Sequence, residues 1–201
     1  MKLYYAPGAC SLSPHIIIRE LNANVQLEKV DLSNHTTESG VNFFSINPRG
    51  QVPVLELENG EILTEGPIIT QYIAESVGPS SAYPSPLTID RYRVHEWQNY
   101  VTSELHKSFT PLFNANFDKK SKDLHADILK KKYEWLDSKL QQSSYLTGQD
   151  FTIADSYLFT VTNWARHVGL DLSEFKNLQD YMGRVASRVA VKEALKAEGL
   201  V

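Results

Sequence analysis

Between Gly78 and Pro86 the chain carries three prolines in nine residues, mixed with glycine and serine. Neither a helix nor a sheet strand continues through such a stretch, because proline removes a backbone donor and fixes φ. It separates two sequences of different character. Before it lie short apolar runs with turn residues between them. After it, apolar residues recur at helical spacing almost to Val201, with breaks near Asn114, from Ser143 to Asp150 and from Gly169 to Ser173. A small α/β domain over residues 1–79, a linker over 80–86 and an all-helical domain over 87–201 are the expected parts.

Within the first part, Lys2 to Tyr5 reads as a strand broken by Pro7-Gly8. Ser11 and Ser13 are N-cap candidates, and Pro14 suits the first turn of a helix with Ile16, Ile17 and Leu21 on its apolar face. A second strand is expected over Val25 to Leu32. Phe43, Phe44 and Ile46 indicate a short helix stopped by Asn47-Pro48-Arg49-Gly50. Val52 to Glu58 reads as a strand joined through Asn59-Gly60 to Glu61-Ile62-Leu63, and a helix starts near Pro67. The order is βαβαββα.

Composition excludes several classes of function. Twenty Lys and Arg against 24 Asp and Glu give a formal net charge of -4, with no basic excess of the kind nucleic acid demands. The lysine runs at 119–120 and 130–132 read as solvated helix surface. No stretch of 18 apolar residues is present, and the N-terminus lacks the apolar region of a secretory signal, so a cytoplasmic location away from membranes is expected. The single cysteine, Cys10, rules out an intrachain disulfide and any site built on a cysteine pair. The six histidines have no metal-pair spacing, and no metal is expected.

Four places could carry chemistry. Cys10 lies at the strand-to-helix turn, where unpaired N–H groups and the helix dipole would favour a thiolate; the alternative is a small buried apolar residue. Val52-Pro53 enters a strand, which calls for either a cis bond that presents backbone groups to an extended ligand or an edge position. Glu65-Gly66 marks a strand-to-helix junction, where the carboxylate either favours the helix dipole or catches a ligand ammonium while the Gly66 N–H catches a carboxylate. Asn99, Ser103 and His106 share one face of a long helix, opposite Val94, Trp97, Val101 and Leu105. Thr152 and Asp155 form a capping box that opens an apolar helix. Trp97, Trp135 and Trp164 are expected in the core, and Tyr5 is read as packing.

Five segments, in order, resemble the beta class of bacterial glutathione transferases. They are Tyr4 to Ser13, Asn47 to Pro53, Leu63 to Gly66, Glu104 to Lys107, and Phe151 to Asp155; the closing Ala197-Glu198-Gly199-Leu200 fits as well. The resemblance covers essentially the whole chain. It implies the cytosolic glutathione transferase fold, with a thioredoxin-like N-terminal domain, cis-Pro53 and an all-α C-terminal domain. It further implies that glutathione, a co-substrate rather than a cofactor, is held by Ala9, Cys10, His35, Gln51, Val52, Pro53, Glu65 and Gly66. Cys10 and His106 would be catalytic, with Lys107 beside His106. Asn99, Ser103 and Glu104 would come from the partner of a homodimer. His35 stands where the class commonly has lysine, which predicts weaker glutathione binding as pH rises from 6 to 8. Ser103 stands for a frequent threonine and keeps the hydroxyl.

The implied activity is attack of the glutathione thiolate on a small hydrophobic electrophile. A thiol–disulfide oxidoreductase working through a Cys10 mixed disulfide is a second reading, and a non-catalytic carrier of hydrophobic compounds a third. The joint presence of Cys10, Glu65 and His106 argues against the carrier.

Overall fold

The computed structural model describes residues 1–201. The chain falls into two units, Met1–Tyr83 together with Ser187–Val201, and Pro84–Ala186. The first boundary falls inside the proline-rich stretch. The return of the last residues to the first unit departs from the expected grouping of 87–201.

In the first unit, strands β1 (Lys2–Tyr5), β2 (Gln26–Asp31), β3 (Thr36–Thr37), β4 (Val54–Glu56) and β5 (Ile62–Thr64) form one sheet in the order β3-β2-β1-β4-β5. β1 and β2 are parallel, joined through helix α1 (Leu12–Glu20), whereas β4 and β5 run antiparallel to their neighbours. Two features differ from the sequence reading. The two-residue edge strand β3 is too short to show a period of two. Phe43–Ser45 is a single 3₁₀ turn, capped by the Asn42 side chain, rather than a helix. The Asn59-Gly60 hairpin forms as a three-residue loop. Gly60 N–H donates to Leu57 C=O at 3.0 Å, and Gly60 takes φ +83°, the left-handed conformation such a loop requires.

Leu3, Ile16, Ile17, Leu55, Ile69 and Ile73 are fully buried between the sheet, α1 and α2 (Gly66–Val77). Each such side chain contributes about 1.5–3 kcal/mol of hydrophobic free energy relative to exposure. Helix α8 (Val189–Ala197) buries Ala190, Val191 and Ala194 and packs on α1. Its end is fixed by polar contacts that no periodicity predicts. Glu198 accepts from the N–H of Gly8 at 2.8 Å and lies 2.8 Å from His15 Nδ1, both side chains of this pair being fully buried. Arg19 Nε lies 3.3 Å from the other nitrogen of His15, and Arg188 pairs with Glu20. An amphipathic helix announces an apolar face but not its partner, so the assignment of α8 was not legible.

In the second unit, α3 (Ile89–Tyr100) continues through a π turn (Val101–His106) into α4 (Lys107–Phe113). α5 (Lys119–Leu140), α6 (Ile153–Thr162) and α7 (Lys176–Ser187) follow, with a 3₁₀ turn at Asn163–His167. All ten residues of α6 are buried, and the capping box at its start is present. Asp155 accepts from the N–H groups of Leu146 and Thr152, the Thr152 hydroxyl and the Tyr181 hydroxyl at 2.8–2.9 Å. Of the three tryptophans only Trp164 is buried; Trp97 is half-buried and Trp135 exposed, forming with Tyr100 an aromatic cluster at ring separations of 4.7–5.7 Å. Indole surface covered on one side by a neighbouring ring needs no burial on the other.

Candidate functional site

The loop from Ala6 to Ser11 carries Cys10 to the head of α1. Ser11 occupies the N-cap position without capping the helix. Its buried hydroxyl turns back instead, lying 3.1 Å from both the N–H and the C=O of Ala6, and so closes the loop on itself. Gly8, at φ +71°, supplies the left-handed turn, and its N–H is anchored by Glu198. Ala9 packs against the cluster of Tyr4, Val30, Phe43 and Val54. Tyr5 is buried and packs on the His15 ring at 5.6 Å.

A second loop meets the first. The buried Asn47 side chain donates to the Gln51 carbonyl at 2.7 Å and accepts from the Arg49 N–H at 3.2 Å, shaping residues 47–51. Gly50 takes φ +63°, and a Cβ there would come within 2.6 Å of Phe44 and 2.9 Å of His35, so only glycine fits. The Val52-Pro53 bond is cis. Cys10 Sγ donates to the Val52 carbonyl at 3.2 Å, which brings the two loops together at one end of the sheet.

The expectation of a thiolate at Cys10 is not met in the free protein. Burial pushes the thiol up to about 11; the N–H groups of Cys10 and Ser11 pull the other way, and the Glu65 carboxylate adds to the rise. Desolvation outweighs the helix N-terminus because the charged form loses more to burial than two N–H groups return. Cys10 is therefore a thiol at neutral pH. Alkylation of the free protein by iodoacetamide should be slow at pH 7 and still rise through pH 9 to 10. A plateau reached below pH 8 would contradict this.

Glu65 is the N-cap residue of α2, yet its side chain makes no capping bond. It holds φ +71°, an unfavourable conformation for a residue with a Cβ, and its carboxylate meets Arg49 Nη1 at 3.1 Å. Strain at a solvent-facing carboxylate beside a helix N-terminus is the kind tolerated where a ligand is bound. A Cβ at Gly66 would lie 3.7 Å from the Pro53 ring, so the head of α2 abuts the cis-proline loop. His35, at φ +53°, stacks on Phe44 at a ring separation of 4.2 Å, with Nδ1 buried and without a hydrogen-bond partner. Ala9, Cys10, Gln51, Val52, Pro53, Glu65 and Gly66 thus belong to loops that meet, and His35 flanks them through Gly50.

In the second unit the π turn alters the expected pattern. Asn99 and Ser103 are exposed and bond carbonyls of their own helix, His95 at 3.0 Å and Asn99 at 3.0 Å respectively. Glu104 pairs with Lys132 at 2.9 Å, which holds its carboxyl below the usual carboxylate range, and Lys107 is exposed. His106 does not stay on the outward face with Asn99 and Ser103. Its Nδ1 lies 2.6 Å from the hydroxyl of buried Tyr157, and its ring packs edge-on to Trp164 at 4.7 Å. The Lys107 N–H reaches back five residues to Thr102 C=O. One residue more per turn shifts helical phase by about 100°, which carries His106 toward the side of Val101 and Leu105. A face drawn at 3.6 residues per turn could not anticipate that. Trp164, expected in the core alone, and Tyr157, within the helix expected to be apolar, thus also have a polar neighbour in His106.

Both units match family models over most of their length: the glutathione S-transferase N-terminal domain over residues 1–75 and the C-terminal domain over residues 100–188. The chain belongs to the glutathione S-transferase family. It is 44% identical to the glutathione S-transferase GstA of Escherichia coli O157:H7, over 100% of both chains. Among solved structures it is similar to a sphingomonad glutathione S-transferase complexed with glutathione (TM-score 0.95, 42% identity, 100% of both chains). It also resembles the beta-class glutathione S-transferase of Sphingomonas chungbukensis (TM-score 0.93, 42% identity, 100% of both chains). The fold is a thioredoxin-like N-terminal domain with a helical C-terminal domain, in the bacterial beta-class branch of the family. No helix is long and apolar enough to cross a membrane.

Proposed function

We propose that the chain binds glutathione along the meeting loops of its first unit and conjugates the glutathione thiol to small hydrophobic electrophiles. The observation that carries this reading is the convergence of cis-Pro53, the Val52 backbone, Cys10 and the Glu65–Gly66 head of α2 at one end of the sheet. An extended tripeptide would pair with the Val52 backbone, and its α-amino and α-carboxylate groups would meet the Glu65 carboxylate and the Gly66 N–H at the positive end of the α2 dipole. Gln51 and His35 would face the remaining carboxylate. From the helical unit we assign His106 and Lys107 to the thiol end of glutathione. We assign Asn99, Ser103 and Glu104 to the partner in a homodimer working in the cytoplasm.

The enzyme's part in the chemistry is to raise the thiolate fraction of bound glutathione, since only the thiolate attacks carbon. Cys10, held as a thiol, can offer its one S–H to that sulfur by turning away from the Val52 carbonyl, which it meets at 3.2 Å in the free protein. It also supports a second activity. For this Cys10 must give up its proton when substrate binds: the Cys10 thiolate would attack a glutathionylated disulfide, the proton passing to the departing thiol, and a second glutathione thiolate would then release oxidised glutathione and restore Cys10.

A paired assay of wild type and Cys10→Ala separates the two activities. Conjugation of glutathione to an activated aryl chloride should survive in Cys10→Ala within about threefold, while reduction of a mixed glutathione disulfide should fall at least about a hundredfold. If both activities collapse although glutathione still binds, the oxidoreductase is the main function.

A further inference from the structure

We propose that Tyr157 is the positioning residue for His106: its buried hydroxyl, 2.6 Å from Nδ1, donates to that nitrogen and holds the proton of the neutral imidazole on Nε2. The inference rests on the assignment of His106 to the glutathione site. Of the two groups the phenol O–H is the stronger donor and a bare imidazole nitrogen the stronger acceptor, which sets the direction of the bond. A neutral ring with Nδ1 accepting must carry its hydrogen on Nε2. That form presents an N–H, the group that stabilises a developing or resting thiolate; the other tautomer would present a lone pair and repel it.

The surroundings fix the ring as well as the proton. Tyr157 is buried in α6, whose ten residues all are, so its hydroxyl cannot swing into solvent. Trp164 meets the imidazole edge-on at 4.7 Å and is in turn braced by Phe109, fully buried in α4, at 5.7 Å. The π turn completes the arrangement. The Lys107 N–H to Thr102 C=O bond places His106 over α6, where a continuous α-helix would have left it about 100° away on the exposed side. Spending a less stable turn to bring one histidine onto one tyrosine is a local conflict resolved in favour of the site.

The test is nitrogen NMR of His106 together with the variant Tyr157→Phe, which removes one oxygen and keeps the ring. In wild type, above the pH at which the ring is charged, Nδ1 should resonate as a bare nitrogen and Nε2 as a protonated one, a measurement that needs no variant. In Tyr157→Phe the two tautomers should mix, and kcat for conjugation of an aryl chloride should fall about tenfold with KM for glutathione unchanged within twofold. A proton found on Nδ1 in wild type overturns the proposal and leaves the role of His106 intact. So does a Tyr157→Phe protein that folds and retains both the wild-type tautomer and kcat. If instead His106→Ala leaves kcat unchanged, the assignment of His106 to the site fails, and positioning with it, whatever the tautomer.

Discussion

Replacement of Asp155 by alanine is expected to cost about 3–5 kcal/mol of folding stability, enough to leave a substantial fraction of the chain unfolded at 37 °C. The carboxylate is fully buried, and four donors converge on it: two backbone N–H groups, from Leu146 and Thr152, and the hydroxyls of Thr152 and Tyr181. The hydroxyls can rotate toward other acceptors. The two amides cannot, and each buried amide left without a partner costs about 1–3 kcal/mol. The helix they begin is buried along its whole length, so fraying at its start exposes core on every side. Asp155→Asn should recover less than half of the loss, because its amino group would face donors. Equilibrium unfolding in urea at fixed protein concentration measures both. A loss below about 1 kcal/mol for Asp155→Ala would show that the network is not what holds α6.

The second large effect is on ligand affinity. Glu65→Ala should raise the dissociation constant for glutathione by about 10- to 150-fold, the equivalent of one charge-assisted hydrogen bond of about 1.5–3 kcal/mol. Arg49→Ala is the control. It removes the same ion pair from the other side, but that pair is exposed, at 53% and 61% of side-chain surface, and is worth at most about 1 kcal/mol. If the Glu65 effect is due to the ligand, Arg49→Ala stays within about fivefold of wild type. Equal losses in the two variants, read by titration calorimetry, would mean that Glu65 acts only by holding Arg49 and the loop.

How much of this was legible in the sequence depended on what each residue answers to. The division at the proline-rich stretch, the strands β1, β2, β4 and β5, and the capping box at Thr152 follow from local rules of spacing and turn chemistry, and the structure contains them. Features that depend on a distant partner did not show. The return of α8 to the first unit rests on Glu198 meeting Gly8 and His15, more than 180 residues away. For Cys10 the sequence leaves thiolate and buried thiol both open, because its place ahead of a helix is visible while its desolvation is not. His106 was placed on the wrong face because nothing in Val101–His106 announces a π turn. Ser11 has the composition of an N-cap, yet its hydroxyl turns back five residues to Ala6 and closes the Cys10 loop, a choice between two local partners that composition does not decide. Motif order carried the reading of function where these local rules stopped, since it reports the whole arrangement rather than any one contact.

The central claim is that this fold binds glutathione and shifts its thiol toward the thiolate. Ultraviolet difference spectroscopy tests it most directly: glutathione titrated into the wild-type protein at pH 7, with thiolate absorbance followed against protein and glutathione alone. Cys10, held near 11, is silent at that pH in the free protein. The expected result is a saturable rise in thiolate absorbance approaching one equivalent per chain, absent with S-methylglutathione. Saturable binding by calorimetry with no thiolate signal, or no binding at millimolar glutathione, would contradict the account.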